Sequence, residues 1–128
     1  MDKLLSGRRV LVVEDEMLVL LMIEDMLADL GCESVTTAAT IDQAIALIDG
    51  QVFDAAMLDI NLNGVDSHPV ADALAARGVP FVFSTGNSVH STGNSVHHMR
   101  DGHDDRAVLR KPFKYEEMAE VLTRLLSC

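Results

Sequence analysis

Five short apolar runs, alternating with longer stretches, several of them amphipathic at helical spacing, constrain this chain more than any other feature of its sequence. The runs are RRVLVVED at 8–15, ESVTTA at 33–38, DAAMLDI at 54–60, VPFVFST at 79–85 and AVLRKP at 107–112. The first is rich in Val and Leu without polar alternation, the pattern of a strand covered on both faces. After it, Leu20, Ile23, Leu27 and Leu30 fall on one side of a helix over residues 17–30, and Gly31 supplies its stop. Thr40, with Gln43 three positions on, has the form of a capping box ahead of Ile41, Ile45 and Ile48, and Gly50 closes that helix. Residues 67–77 read as a third helix ended by Gly78; residues 115–126 read as a last one, with Met118, Val121, Leu122 and Leu125 on one side. Strands and helices in alternation, with the strands buried on both faces, predict an α/β fold: a doubly wound parallel sheet of five strands with helices on both faces. Right-handed crossovers leave few topologies for it.

Size and charge narrow the function classes. With 128 residues, 48% of them hydrophobic, and no linker-like interruption, residues 1–128 are read as one domain. The longest apolar run, residues 17–23, is far short of the roughly 20 residues needed to span a bilayer, and no signal-like segment opens the chain, so a cytoplasmic protein is expected. A net charge of −10 argues against a nucleic-acid surface. Cys32 and Cys128 have neither metal-ligand nor redox spacing and are read as free thiols. His90, His97, His98 and His103 cluster without a regular ligand pattern and are read as solvated loop residues.

The polar residues acquire meaning from where the strands end. Open parallel sheets bind ligands beyond the carboxyl ends of their strands. Glu14 and Asp15 close the first strand, Asp59 the third, Thr85 the fourth and Lys111 the fifth. Taken singly, Glu14 and Asp15 would serve as acids at a helix N-terminus, and Lys111-Pro112 would be ordinary loop punctuation. Together they bring three carboxylates, a hydroxyl and an ammonium to one edge. Crowded carboxylates repel, and a bound cation relieves them. Mg2+ suits such a site, because it takes one or two carboxylates, keeps waters and completes its shell with phosphate oxygens. A carboxylate beside that metal can attack a phosphoryl group, with Lys111 and Thr85 holding the phosphoryl oxygens.

VLVVEDE, MLDINLNG, FVFSTG and VLRKPF, in this order and over essentially the whole chain, resemble the receiver domain of two-component response regulators. The resemblance implies the flavodoxin-like strand order 2-1-3-4-5, with Asp59 as phospho-acceptor and Asp15 as a direct Mg2+ ligand. It implies that Glu14 helps through a water, that the Asn61 carbonyl is a ligand, that Lys111 pairs with the phosphoryl group and that Thr85 hydrogen-bonds it. Gly86 would leave access for the donor, and the Lys111-Pro112 peptide would be cis. The implied partners are a sensor histidine kinase or histidine phosphotransfer protein and a downstream protein target, with no nucleic acid and no membrane, and with a monomer or weak dimer as the assembly. The protein would not be an enzyme in the ordinary sense but a signalling protein that promotes its own phosphorylation and dephosphorylation. The chain stops with its last helix, so a stand-alone receiver with output through docking is expected.

Three features depart from the commonest receiver pattern. Val108 stands where many receivers carry an aromatic switch residue. The loop after Asp59, Asp-Ile-Asn-Leu-Asn-Gly, lacks a proline common there. Residues 84–97 contain STGNSVH twice in tandem, an insertion in the loop after the fourth strand. Thr85 stands one residue past the apolar VPFVF, whereas Thr92 follows a polar loop, which selects Thr85 as the site hydroxyl and leaves the other copy as added loop length. Two other classes share the topology. An aspartyl-phosphate phosphohydrolase of the haloacid dehalogenase type would need a second acid two positions past Asp59, where Asn61 stands. A flavodoxin-like cofactor module would need a hydroxyl-rich or glycine-rich phosphate loop after the first strand, where EDEMLVLL is acidic.

Overall fold

A computed structural model of the chain describes residues 5–85, 108–110 and 114–126. Strands β1 (Arg9–Val13), β2 (Ser34–Ala38), β3 (Ala55–Asp59), β6 (Phe81–Thr85) and β7 (Val108–Arg110) form a five-stranded sheet in the order β2-β1-β3-β6-β7. Every neighbouring pair is parallel. Counted among these five strands, that is the expected order 2-1-3-4-5. Among the described residues the helices are α1 (Met17–Asp29), α2 (Ile41–Gly50), α3 (His68–Ala76) and α4 (Tyr115–Leu126).

The two-residue period of a strand divides the core into two layers. Val10 and Val12 of β1 join Met57 and Val82 against Leu20, Ile23 and Leu27 of α1 and Met118 and Leu122 of α4. Their neighbours Leu11 and Val13 join Leu58, Phe81 and Phe83 against Ile48 of α2 and Val70 and Leu74 of α3. The central strand β3 is buried at every position, which is why its sequence shows no polar alternation. Among the described residues, no helix is long and apolar enough to cross a membrane. The first helix is core along Leu20, Ile23 and Leu27, while Met17, Leu18 and Leu21 stand exposed.

The predicted helix ends hold, for identifiable reasons. Gly31, at φ 90°, donates its N–H to the Ala28 carbonyl, and Cys32 donates to Leu27, so that orphan carbonyls of α1 are satisfied by a Schellman motif. Gly78, at φ 71°, does the same for α3, with bonds from Gly78 to Ala75 and from Val79 to Leu74. At the start of α2 the Thr40 hydroxyl accepts the Gln43 N–H at 3.1 Å; the Gln43 side chain reaches back one residue beyond the cap, accepting the Ala39 N–H at 2.9 Å. Helix α3 begins at His68 rather than at the expected residue 67, because the N–H and the hydroxyl of Ser67 both donate to the Ile60 carbonyl at 2.9 Å.

One element was absent from the sequence reading. Where that reading has only a loop after Asp59, the chain forms an antiparallel hairpin of β4 (Asn61–Leu62) and β5 (Val65–Asp66). Its two-residue turn has Asn63 at φ 53° and Gly64 at φ 83°, the left-handed pair that a type I′ turn requires and that Asn-Gly supplies.

Candidate functional site

The carboxyl edge of the sheet collects the acidic residues because three adjacent parallel strands end there in register. Val13 pairs with Leu58, so the residues that follow, Glu14 and Asp59, reach the edge of the sheet at the same level. Glu14 is 1% exposed and extends the ladder by one more bond, its N–H donating to the Ala38 carbonyl at 2.9 Å. Its side-chain Oε2 accepts the Glu16 N–H at 3.2 Å. Asp15, on the loop into α1, is half-buried, and its Oδ2 accepts the Asn63 N–H at 2.8 Å. Asp59 is buried, and its Oδ1 accepts the Asn61 N–H at 3.1 Å.

These three carboxylates form the cluster that strand-end placement predicted. One oxygen each from Glu14, Asp15 and Asp59 lie within 4.8 Å of one another. An all-oxygen donor set of this kind fits a hard divalent cation rather than a softer one that prefers nitrogen or sulfur. Like charges at such separations repel, and a cation among them removes that cost.

Thr85 ends β6, one residue beyond Ser84, the register partner of Asp59, and is 1% exposed. Asn61 is exposed at the base of the hairpin; its side-chain Oδ1 accepts the Gly64 N–H at 2.9 Å, and its own N–H holds Asp59. Arg110 pairs with Thr85 on the other side of β6, so β7 runs to this same edge. Lys111 and its bond to Pro112 lie outside the described residues, as do Gly86, Thr92, the clustered histidines and all but the first two residues of the duplication.

Sequence reasoning missed Asn63. Its N–H enters the site from the hairpin turn, and its side-chain Nδ2 reaches the Ala39 carbonyl at 3.5 Å. The signal was present: an Asn-Gly dipeptide soon after a strand is a strong short-range mark of a hairpin.

The chain matches the response regulator receiver domain family over residues 10–123. It is 43% identical to SdrG from Sphingomonas melonis Fr1, whose solution structure superimposes with a TM-score of 0.79 over 96% of this chain and 98% of that one. It is 28% identical to the receiver domain of the sensor histidine kinase PA1611 from Pseudomonas aeruginosa PAO1, with a TM-score of 0.75 over 96% of this chain and 100% of that one. That crystal structure has a magnesium ion coordinated in the active site cleft. The transcriptional regulatory protein TcrA of Mycobacterium tuberculosis is 33% identical over 115 residues, which are 88% of this chain and 44% of that protein. The chain thus spans less than half the length of the curated relatives it matches. With the fold, the acidic edge and these matches in agreement, the chain belongs to the response regulator receiver domain family of two-component systems.

Proposed function

We propose that the chain takes a phosphoryl group onto Asp59 from a histidine of a sensor kinase or phosphotransfer protein, and signals by docking a downstream protein. The observation that carries this reading is the convergence of Glu14, Asp15 and Asp59 within 4.8 Å at the carboxyl edge of the sheet, with Thr85 ending the neighbouring strand. An oxygen of Asp59 attacks the phosphorus; the phosphorus–nitrogen bond of the phosphohistidine breaks, and the imidazole keeps the electron pair. Hydrolysis later transfers the phosphoryl group to water and restores the carboxylate. The chain is a signalling module that promotes both steps on itself rather than an enzyme acting on a separate substrate.

Asp15, Asp59 and the carbonyl of Asn61 would hold Mg2+, with Glu14 acting through a water. The magnesium found in the cleft of the PA1611 receiver supports that choice of cation. When bound, the ion neutralises charge on the phosphoryl oxygens and carboxylates. The chain's own part is to keep Asp59 fixed, through the ladder of β3 and the Asn61 N–H, and to present the Thr85 hydroxyl and the Lys111 ammonium to the phosphoryl oxygens.

The test is incubation with acetyl phosphate and Mg2+ followed by intact-mass measurement. Wild type should gain one acid-labile phosphoryl group, and Asp59→Asn should gain none while keeping its circular dichroism. An undiminished adduct on the variant would refute the acceptor.

A further inference from the structure

We propose that the main-chain N–H of Asn63 is the positioning group for the Asp15 carboxylate, and that the β4–β5 hairpin exists at this point in the chain to deliver it. The proposal rests on the cation site of the preceding reading and adds to it a residue outside the ligand set.

Among the three clustered acids, Asp15 is the one that needs holding. Glu14 and Asp59 are 1% and 5% exposed, and each continues or ends a strand of the central sheet. Asp15 is only half-buried, beyond the last residue of β1 and before the first of α1. With two like charges beside it, a carboxylate in that position is driven toward water. The Asn63 N–H opposes this at 2.8 Å, within the short range of charge-assisted hydrogen bonds. It engages only one of the several lone pairs a carboxylate offers, so capacity for a cation remains.

The donor is itself fixed from several directions. Leu62, 2% exposed, roots β4 in the core layer of α2 and α3. The Gly64 N–H is tied to the Asn61 side chain at 2.9 Å, and both donors of Ser67 close on Ile60 at the hairpin's base. The orientation of the Asn63 N–H depends on the turn type, because φ is 53° there and 83° at Gly64. Asn and Gly adopt that region readily, whereas a β-branched residue does so only as an outlier. A site whose ligand is held in place before the cation arrives loses less freedom on binding.

The experiment separates the main-chain donor from the Asn63 side chain. Asn63→Gly keeps the N–H and the positive φ but removes the Ala39 contact; Asn63→Val disfavours the φ. In Mg2+ titrations of the full chain, Asn63→Gly should bind within about twofold of wild type, and Asn63→Val about tenfold more weakly, the order expected on losing one hydrogen bond to a charged group. Equal weakening in both variants, or in neither, would overturn the proposal. A second measurement stands apart from metal and from any folding defect of Asn63→Val: in metal-free protein, the residue-63 amide proton should resonate downfield and move upfield in Asp15→Ala. An amide unmoved by Asp15→Ala would overturn the latch even if Mg2+ binds. Failure of wild type to bind Mg2+ with the amide shift intact would instead refute the function proposed above and leave the latch standing.

Discussion

Ser84 pairs with Asp59 across the parallel ladder of β3 and β6, and its carbonyl accepts the Ile60 N–H at 2.9 Å. The backbone of β6 is therefore locked to the strand that carries Asp59 as far as that strand runs. Thr85, the next residue, is still held on its other side by pairing with Arg110. Of the two tandem STGNSVH copies, the first therefore places its threonine, Thr85, at the end of a strand registered against Asp59, while Thr92 lies outside the described residues.

Thr85→Ala should slow phosphorylation of Asp59 by roughly tenfold, the consequence of losing one hydrogen bond to a charged group. Thr92→Ala should change the rate less than about twofold, and deletion of residues 91–97 should leave phosphorylation largely intact, since FSTGNSVHHMR still follows from the strand. Rates of adduct formation with acetyl phosphate, read by intact mass, check this. A slow Thr92→Ala variant beside a normal Thr85→Ala variant would reverse the assignment.

Phe81 is fully buried in the layer of α2 and α3, where its ring meets that of Phe83 edge to face with centroids 5.4 Å apart. Phe81→Ala removes this contact and leaves a cavity that a sheet tied on both sides cannot close. The loss should be about 3–5 kcal/mol, measured by urea unfolding, and Asp59 should remain phosphorylatable where the variant is folded. A loss below about 1 kcal/mol would mean that the layer relaxes around the gap.

The Cys32 thiol donates to the carbonyls of Ser34 at 3.1 Å and Arg8 at 3.3 Å, just before β2. Burial pushes its pKa above the ordinary thiol value, partly opposed by backbone hydrogen bonding from Ser34 and Val10 and helped by the charges of Asp54 and Glu33. On unfolding, the thiol therefore loses its proton at lower pH than in the native state. Stability from this group is complete below the unfolded thiol's pKa, about 8.5, and is lost as pH rises through the higher native value. Between pH 8 and pH 10, wild type should lose more stability in urea than Cys32→Ala does. Identical losses in the two proteins would exclude a thiol contribution.

How much of this was legible in the sequence depended on the range of the forces involved. The ends of α1 and α3 were readable at Gly31 and Gly78, because a left-handed residue after a helix is a local backbone requirement that glycine meets. The Thr40–Gln43 cap was readable for the same reason, although the Gln43 side chain landed on Ala39, one residue earlier than the motif specifies. The hairpin at 61–66 escaped because each of its strands has only two residues, too few for periodicity to register; its Asn-Gly turn was the sole signal.

Residue order alone made legible that β3 and β6 are buried throughout, where the helices stop, and that Glu14, Asp15, Asp59 and Thr85 fall at strand ends, whereas the edge strand β2, read as equally buried, is only partly covered. Those properties follow from side-chain polarity and backbone preference within a few residues. Tertiary structure alone decided that the oxygens of Glu14, Asp15 and Asp59 meet within 4.8 Å, since this requires β1 to lie between β2 and β3 with Val13 set opposite Leu58. It alone decided that Asn63 donates to Asp15, a contact spanning 48 positions. No local preference encodes such a pairing: it arises when two apolar layers close on one sheet and hold the loops at its edge in place.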